Sequence, residues 1–373
     1  MVLVLERGGL PGRLEGYGER GVMASEAIIH ICVTRDGEEN NAIQELVGLS
    51  TASPVKCTRL TAGVVELPEA PLDALYGYPL FFTRQILPNA VRLEATSIRL
   101  WAQAISQRLI AALGESQANW GLHIFEPQSV HTGERYSRQR LITEEVLAYL
   151  KQKRRSLLRT LTDHPTRDAT IVQVLTLGPD RGFMSVTAPD IQAALASSFV
   201  PYLGGYIDIP DDPSPPSRAF KKLLEACSLF GLSFTKGATC VDLGAAPGGW
   251  THVLVKHGCH VTAIDRSPLD ERLMRSKQVS FVKGNALSWL PDTTVDWMVC
   301  DVITTPDRTT DLLTTWITRK LCRNFCVTIK FKGDPDCTSL AAVRQLLARH
   351  CSWWDGKQLT HNKNELTVVG QLA

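Results

Sequence analysis

Apolar positions along the chain fall into short unbroken runs and longer stretches with helical spacing, the signatures of buried strands and amphipathic helices. Residues 27–34 (AIIHICVT) predict a strand, and a helix at 41–49, a strand at 63–67 and an apolar run at 80–86 complete a small α+β unit over 26–90, expected to be ferredoxin-like. A second α+β unit spans 91–205, with strands at 90–95, 120–125, 171–177 and 182–186 and helices at 98–113 and 142–161. Neither carries a glycine-rich turn, so neither reads as a nucleotide site. Residues 211–217 (DDPSPPS) interrupt the pattern, because each proline biases its predecessor away from helix. The last unit, 206–373, changes character. Ser217 is expected to cap a helix whose Phe220, Leu223, Leu224 and Cys227 recur at helical spacing. Strands at 238–243, 259–265, 279–283, 295–301 and 325–331 then alternate with helices near 250–256, 268–277, 311–321 and 340–350. A hairpin-like pair at 357–360 and 365–369 closes the chain. Nearly continuous apolar strands separated by helices predict an α/β fold with a doubly wound parallel sheet covered on both faces.

Composition adds boundaries rather than function. At 373 residues the chain exceeds twice the roughly 150 of one domain, so several domains are expected. Forty Lys and Arg against 38 Asp and Glu leave +2, so an anionic partner must meet a local patch. The dense basic run is Arg135, Arg138, Arg140, Lys151, Lys153, Arg154, Arg155 and Arg159; on a helix such a run is ordinarily a solvated face. Ten scattered cysteines without a CxxC pair predict reduced, buried thiols and no metal site. No apolar stretch approaches the roughly 18 residues of a membrane span, and no signal-peptide pattern is present, so a cytoplasmic protein without a membrane partner is expected. Residues 1–25, rich in Gly and Arg without periodicity, are expected to be a disordered extension, with Met23 an alternative start.

The chemistry concentrates at 241–251, VDLGAAPGGWT, which ends the first strand of the last unit and opens a helix. Gly244, Pro247, Gly248 and Gly249 together exceed what a plain tight turn needs, and the carboxyl edge of such a sheet is where ligands bind. Ala245, Ala246 and Pro247 follow Gly244 where a dinucleotide fingerprint wants a second glycine, which disfavours NAD. Asp265, one strand later, is placed to accept from two ribose hydroxyls.

With these residues the sequence resembles FtsJ-type S-adenosylmethionine-dependent RNA ribose 2′-O-methyltransferases. The resemblance is carried by Ser217, Arg218, Ala219, Lys222 and Leu223, by DLGAAPGGWT, by Asp265 and by CDVITTP at 300–306, and it is strong from about 212 to 373. Upstream, GYPLFFTRQ at 77–85 and the strand pattern are similar to members that place a THUMP RNA-binding domain, here 91–205, before the methyltransferase unit and modify a cytidine ribose of large-subunit ribosomal RNA. The resemblance implies a Rossmann-like class I methyltransferase fold. It also implies a cofactor site at Asp242, Gly244, Pro247, Gly248, Gly249, Trp250, Asp265, Asn285 and Asp301, with Asn285 standing where the family usually has Asp and Trp250 either lining the pocket or packing its helix. The family's Lys, Asp, Lys, Glu set falls on Lys222, Asp301, Lys330 and Glu365, with Lys330 as general base.

Lys221 competes with Lys222, and Lys332 with Lys330 at period two. A lysine serves as base only if its pKa falls toward neutrality, so a value below that of a free lysine is expected for Lys330. An RNA substrate, ribosomal RNA or a precursor particle, gives Arg135, Arg138, Lys151, Lys153, Arg154 and Arg155 a phosphate-contacting role. Two other readings compete. A base-amine methyltransferase wants an NPPY-like turn where CDVITTP stands, and an inert RNA-binding or ribosome-assembly protein predicts lost glycines or lysines. A monomer is expected.

Overall fold

Among the described residues, two seven-stranded sheets organise the chain. The computed structural model describes residues 29–48, 56–68, 72–114, 116–127, 137–163, 166–333 and 337–373; the expected extension at 1–25 lies outside them. The first sheet takes β1 (Ile29–Thr34), β2 (Thr58–Thr61), β3 (Val64–Pro68), β4 (Thr83–Glu94), β5 (Trp120–Phe125), β6 (Thr170–Thr176) and β7 (Arg181–Thr187) in the order β2-β3-β1-β4-β7-β6-β5. Its helices are α1 (Glu39–Val47), α2 (Ile98–Leu113), α3 (Ser137–Lys153) and α4 (Pro189–Ala194).

β4 is one long strand where the pattern predicts an apolar run and a separate strand. It pairs with β1 as far as Ala90 and with β7 from Val91 to Glu94, so it passes through position 90 and serves both upstream units. Pro88 and Asn89, the latter at φ 49°, interrupt the apolar alternation and shift the register without ending the strand. The helix expected at 142–161 divides. Arg154 leaves helical geometry (φ −152°, ψ 62°), and a 3₁₀ turn follows at Arg155–Arg159. Gln139, Ile142, Val146 and Leu150 form the buried stripe of α3, leaving its charged side to solvent.

The second sheet holds β8 (Thr239–Leu243), β9 (His260–Asp265), β10 (Val279–Lys283), β11 (Val295–Cys300), β12 (Cys322–Lys330), β13 (Cys351–Lys357) and β14 (Glu365–Leu372), ordered β10-β9-β8-β11-β12-β14-β13. The first five are parallel; β14 is antiparallel to β12 and to β13. Around it lie α5 (Phe220–Phe230), α6 (Gly249–Lys256), α7 (Glu271–Met274), α8 (Pro306–Thr318) and α9 (Cys337–His350). Successive strand residues face opposite layers. Met298 and Val327 join Leu312, Trp316 and Val343 on one side, while Val299 and Cys326 join Leu223, Trp250 and Leu254 on the other. This is the expected doubly wound α/β sheet.

Ser217 does not cap α5, whose N-cap is Ala219 without a side-chain bond. The final hairpin begins earlier than expected, at Cys351, directly after α9; Ser352 and Trp353 face solvent and hide the strand from its apolar pattern.

Residues just before β4 join the two sheets. Phe81 and Phe82 belong to the apolar cluster of the second sheet. A side chain at Gly356 of β13 would sit 2.7 Å from the Phe81 ring, so glycine there admits the aromatic. Glu45 of α1 pairs with Arg344 of α9 and accepts from the Phe81 and Phe82 amides. Among the described residues, no helix is long and apolar enough to cross a membrane, and six of the nine free cysteines are buried.

Candidate active site

The carboxyl ends of the parallel strands open onto a cavity of about 930 Å³ that the glycine loop, α5, β12 and the β13–β14 loop share. A smaller one of about 240 Å³ continues from it toward β9 and β10. Gly244, Ile303 and Thr304 border both, so the two form one trough along the sheet edge. The loop glycines are set by close packing behind the trough. Gly244 has φ +77° and a Cβ there would come within 2.6 Å of Val302 Cγ2; Gly248 has φ +113° and a Cβ would run into Leu273. A Cβ at Gly249 would strike the Ser217 hydroxyl. Ala246 and Pro247 are joined by a cis peptide. Trp250 is buried and its Nε1 donates to Ala219 O at 2.8 Å, so it packs α6 onto the approach to α5 while bordering the cavity.

Asp242, Asp265 and Asn285 are among the polar side chains that border the trough on the glycine-loop side. Asp242 is buried and accepts from Thr251 Oγ1 at 2.6 Å. Burial, with the nearby Asp301 and Asp265 charges, pushes its pKa up to about 7 against the Thr251 hydrogen bond, so this carboxylate lacks a cation. Asp265 accepts from Ala246 N at 3.1 Å and Ser267 N at 2.9 Å, one bond per oxygen, which leaves acceptor capacity on both. Asn285 is exposed, borders the smaller cavity and accepts from Leu287 N at 3.3 Å through Oδ1.

Lys222, Asp301, Lys330 and Glu365 meet in a closed ring at the floor of the larger cavity. Lys222 Nζ lies 3.1 Å from Asp301 Oδ2 and 2.5 Å from Glu365 Oε1; Lys330 Nζ lies 2.6 Å from Asp301 Oδ1 and 2.8 Å from Glu365 Oε2. The fold supplies this directly. Lys330 ends β12 and Glu365 begins β14, and the antiparallel register sets them opposite each other. Asp301 follows β11, and Lys222 comes from the first turn of α5. Thr328, two residues before Lys330 on the same face of β12, donates to Asp301 Oδ1 at 2.6 Å. Burial raises the Glu365 pKa, but the bonds from Lys222 and Lys330 outweigh it and hold the carboxyl at about 2. For Lys330, burial pulls the pKa down, and Asp301 and Glu365 more than reverse this, leaving it above the ordinary lysine value. The lowered value expected from the sequence is therefore not found in this structure, because Asp301 and Glu365 together outweigh the desolvation of the ammonium.

The competing lysines separate. Lys221 is buried and turns to Asp211 at 2.7 Å; Lys332 lies beyond the end of β12 and is exposed. Of the basic run, Arg135 lies outside the described residues. Lys151, Lys153 and Arg155 are exposed, whereas Arg138 donates to Pro179 O at 2.6 Å and Arg154 to Gly114 O at 3.3 Å. None of the described ones borders the trough. Two site residues escaped the sequence reading. Thr328 was signalled only by its spacing from Lys330, and Ile303, 90% exposed at the lip between the cavities, only by its place within CDVITTP.

Sheet order, glycine loop and strand-end carboxylates together define a Rossmann-like class I methyltransferase unit. Residues 215–333 match the FtsJ-like methyltransferase family. Ribosomal RNA large subunit methyltransferase M of Pseudomonas entomophila is 40% identical over 167 residues, 41% of this chain and 46% of that protein. The protein of the same name from Azoarcus sp. is 31% identical over 235 residues, 58% of this chain and 64% of its own. That of Xanthomonas axonopodis pv. citri is 31% identical over 219 residues, covering 56% and 61%. The chain thus spans about half the length of the Pseudomonas relative it matches.

Proposed function

We propose that this chain transfers the methyl group of S-adenosylmethionine to a ribose 2′-hydroxyl of RNA, with large-subunit ribosomal RNA or its precursor particle as substrate. The observation that carries the reading is the closed ring of two lysines and two carboxylates beside the glycine-loop trough. The trough suits the cofactor: Asp265 offers free acceptors for ribose hydroxyls, Asn285 an amide for the adenine edge, and Asp242 an uncompensated carboxylate for a cationic group. When bound, S-adenosylmethionine supplies an electrophilic methyl on a positively charged sulfur.

A 2′-hydroxyl is a very weak acid, so attack on that methyl needs its proton removed. Lys330 is the base. Asp301 and Glu365 hold its nitrogen in place, and Lys222, sharing both carboxylates, sets a second positive charge beside it. The intact ring and glycine loop weigh against an inert assembly protein. In this reading 26–90 is a ferredoxin-like unit and 91–205 a THUMP-like unit. Its exposed Lys151, Lys153 and Arg155, with Arg138, Arg154 and Arg135, contact RNA phosphates in a cytoplasmic, monomeric enzyme.

The test is single-turnover methylation of ribosomal RNA from a strain lacking the gene, with ribose methylation mapped by mass spectrometry. Lys330→Met should slow transfer roughly a hundred- to ten-thousand-fold with cofactor affinity unchanged. Near-normal transfer by Lys330→Met would remove the base assignment, and methyl groups found on bases would remove the reaction class.

A further inference from the structure

The loop between β13 and β14 borders the active-site cavity through Thr360, His361, Lys363 and Asn364 and delivers Glu365 to the ring. Its two ends are held from within the second sheet's own unit. Glu225 of α5 accepts from the Thr360 and His361 amides at 2.7 and 3.0 Å, and Asn364 Nδ2 donates to Gly333 O at 2.6 Å. Its middle is held from the other unit. Arg35, directly after β1, places a single Nη1 between two successive carbonyls, Asn362 O at 2.9 Å and Lys363 O at 2.7 Å. Nearby, Gln358 Nε2 donates to Glu38 Oε1 at 2.8 Å and Gln358 N to Phe81 O at 2.8 Å, so the first unit meets this loop at several points.

The peptide group joining Asn362 to Lys363 is common to two bonds. Its oxygen accepts from Arg35, and its N–H donates to Glu365 Oε1 at 3.3 Å, the same oxygen that lies 2.5 Å from Lys222 Nζ. A charged donor on the carbonyl polarises the amide and strengthens the bond its N–H makes on the far side. Glu365 is therefore oriented by a relay that starts outside the methyltransferase unit, and its second oxygen faces Lys330 at 2.8 Å.

We propose that Arg35 is a positioning residue for methyl transfer, through which the N-terminal sheet sets the orientation of Glu365 and thereby of Lys330. The proposal rests on the methyl-transfer reading of the ring. It predicts that docking of the first sheet is part of building the active site and adds to whatever RNA affinity that sheet supplies.

The experiment uses the full chain. Arg35→Ala, at saturating cofactor and RNA, should lose roughly ten- to a hundredfold in single-turnover rate, the scale expected when a reacting group is misplaced by about 1 Å. Cofactor affinity by calorimetry and RNA affinity by filter binding should stay within about twofold of wild type, which separates a rate effect from a binding effect. Millimolar guanidinium should restore part of the Arg35→Ala rate by reoccupying the gap between the two carbonyls, a rescue that a general loss of packing does not allow. If Arg35→Ala fails to fold, Arg35→Met, which keeps the aliphatic stem without the donors, takes its place in the rate and binding measurements. An unchanged rate in the folded variant, or a loss that disappears at saturating RNA, overturns the proposal. A wild-type chain that places no methyl on ribose while binding cofactor overturns the functional reading, and the positioning role with it.

Discussion

Replacing Glu365 by Gln should cost stability in a way that depends on pH, because the ring that holds it is a folded-state feature. In the folded chain the Glu365 carboxyl titrates at about 2 against an ordinary 4.5. At about 1.4 kcal/mol per unit, that difference corresponds to about 3 kcal/mol of stability from its charge. The side chain is only 5% exposed, so little of this is screened by solvent. Glutamine keeps the volume and leaves Lys222 and Lys330 facing Asp301 alone, the situation in which breaking a buried pair is expensive. Because the folded pKa is depressed, the contribution is complete above 4.5 and is lost as pH falls toward 2. The gap between wild type and Glu365→Gln should therefore be about 3 kcal/mol and flat from about pH 7 to 5.5, then shrink to about 2 kcal/mol near pH 3.5. Urea denaturation followed by tryptophan fluorescence at these pH values measures it. A gap that does not change with pH, or a variant as stable as wild type at neutrality, refutes the electrostatic account of the ring.

Other expectations follow from the same geometry. Asp265→Ala should weaken S-adenosylmethionine binding by about 1–3 kcal/mol in calorimetry, the scale of lost charge-assisted hydrogen bonds; unchanged affinity would assign the ribose to another residue. Gly248→Ala, at φ +113° and facing Leu273, should lower the urea midpoint by the equivalent of about 1–3 kcal/mol and reduce cofactor affinity, since the loop must move to admit the methyl group. Changing Lys153, Arg154 and Arg155 together to Ala should raise the KM for RNA and flatten its salt dependence while leaving cofactor binding alone; an untouched salt slope makes the cluster a solvated face.

Much of this architecture was legible because local periodicity and the site coincide. The parallel strands are short, apolar and separated by helices, and the glycine loop sits at a strand end where such folds bind ligands. Lys330 and Glu365 are polar interruptions at the ends of apolar runs, which is how a ring of partners announces itself in one dimension. Other features depend on pairings distant in sequence. β4 was split in the reading because Pro88 and Asn89 break its alternation, and only pairing with β1 and β7 on either side makes it one strand. GYPLFFTRQ stood out as a motif, yet the position that admits its Phe81 ring lies 275 residues further along the chain, at Gly356. Arg35 had no signal at all, since it acts through backbone carbonyls, which leave no trace in residue type. The Lys221 and Lys222 ambiguity was likewise a matter of helix phase, decided by Asp211 accepting one and the ring the other.

The charge balance of the ring bears on how Lys330 would serve as the base that the proposed reaction needs. Two ammonium groups and two carboxylates make it neutral, and with every oxygen paired the protonated state of Lys330 is favoured beyond that of a free lysine. A neutral, mostly buried cluster tolerates an added cation poorly, because the low local dielectric magnifies the repulsion. Two responses are available to the trough. Asp242, held near neutrality by burial and by the charges of Asp301 and Asp265, can complete its ionisation and compensate a positive ligand group. Lys330 can release a proton, which restores the ring to neutrality while the carboxylates keep its nitrogen in place. Under the proposed function, the same four residues hold Lys330 protonated when no cationic ligand is present and make proton loss cheaper when one is, which ties the lowering that the reaction requires to cofactor occupancy rather than to the resting site.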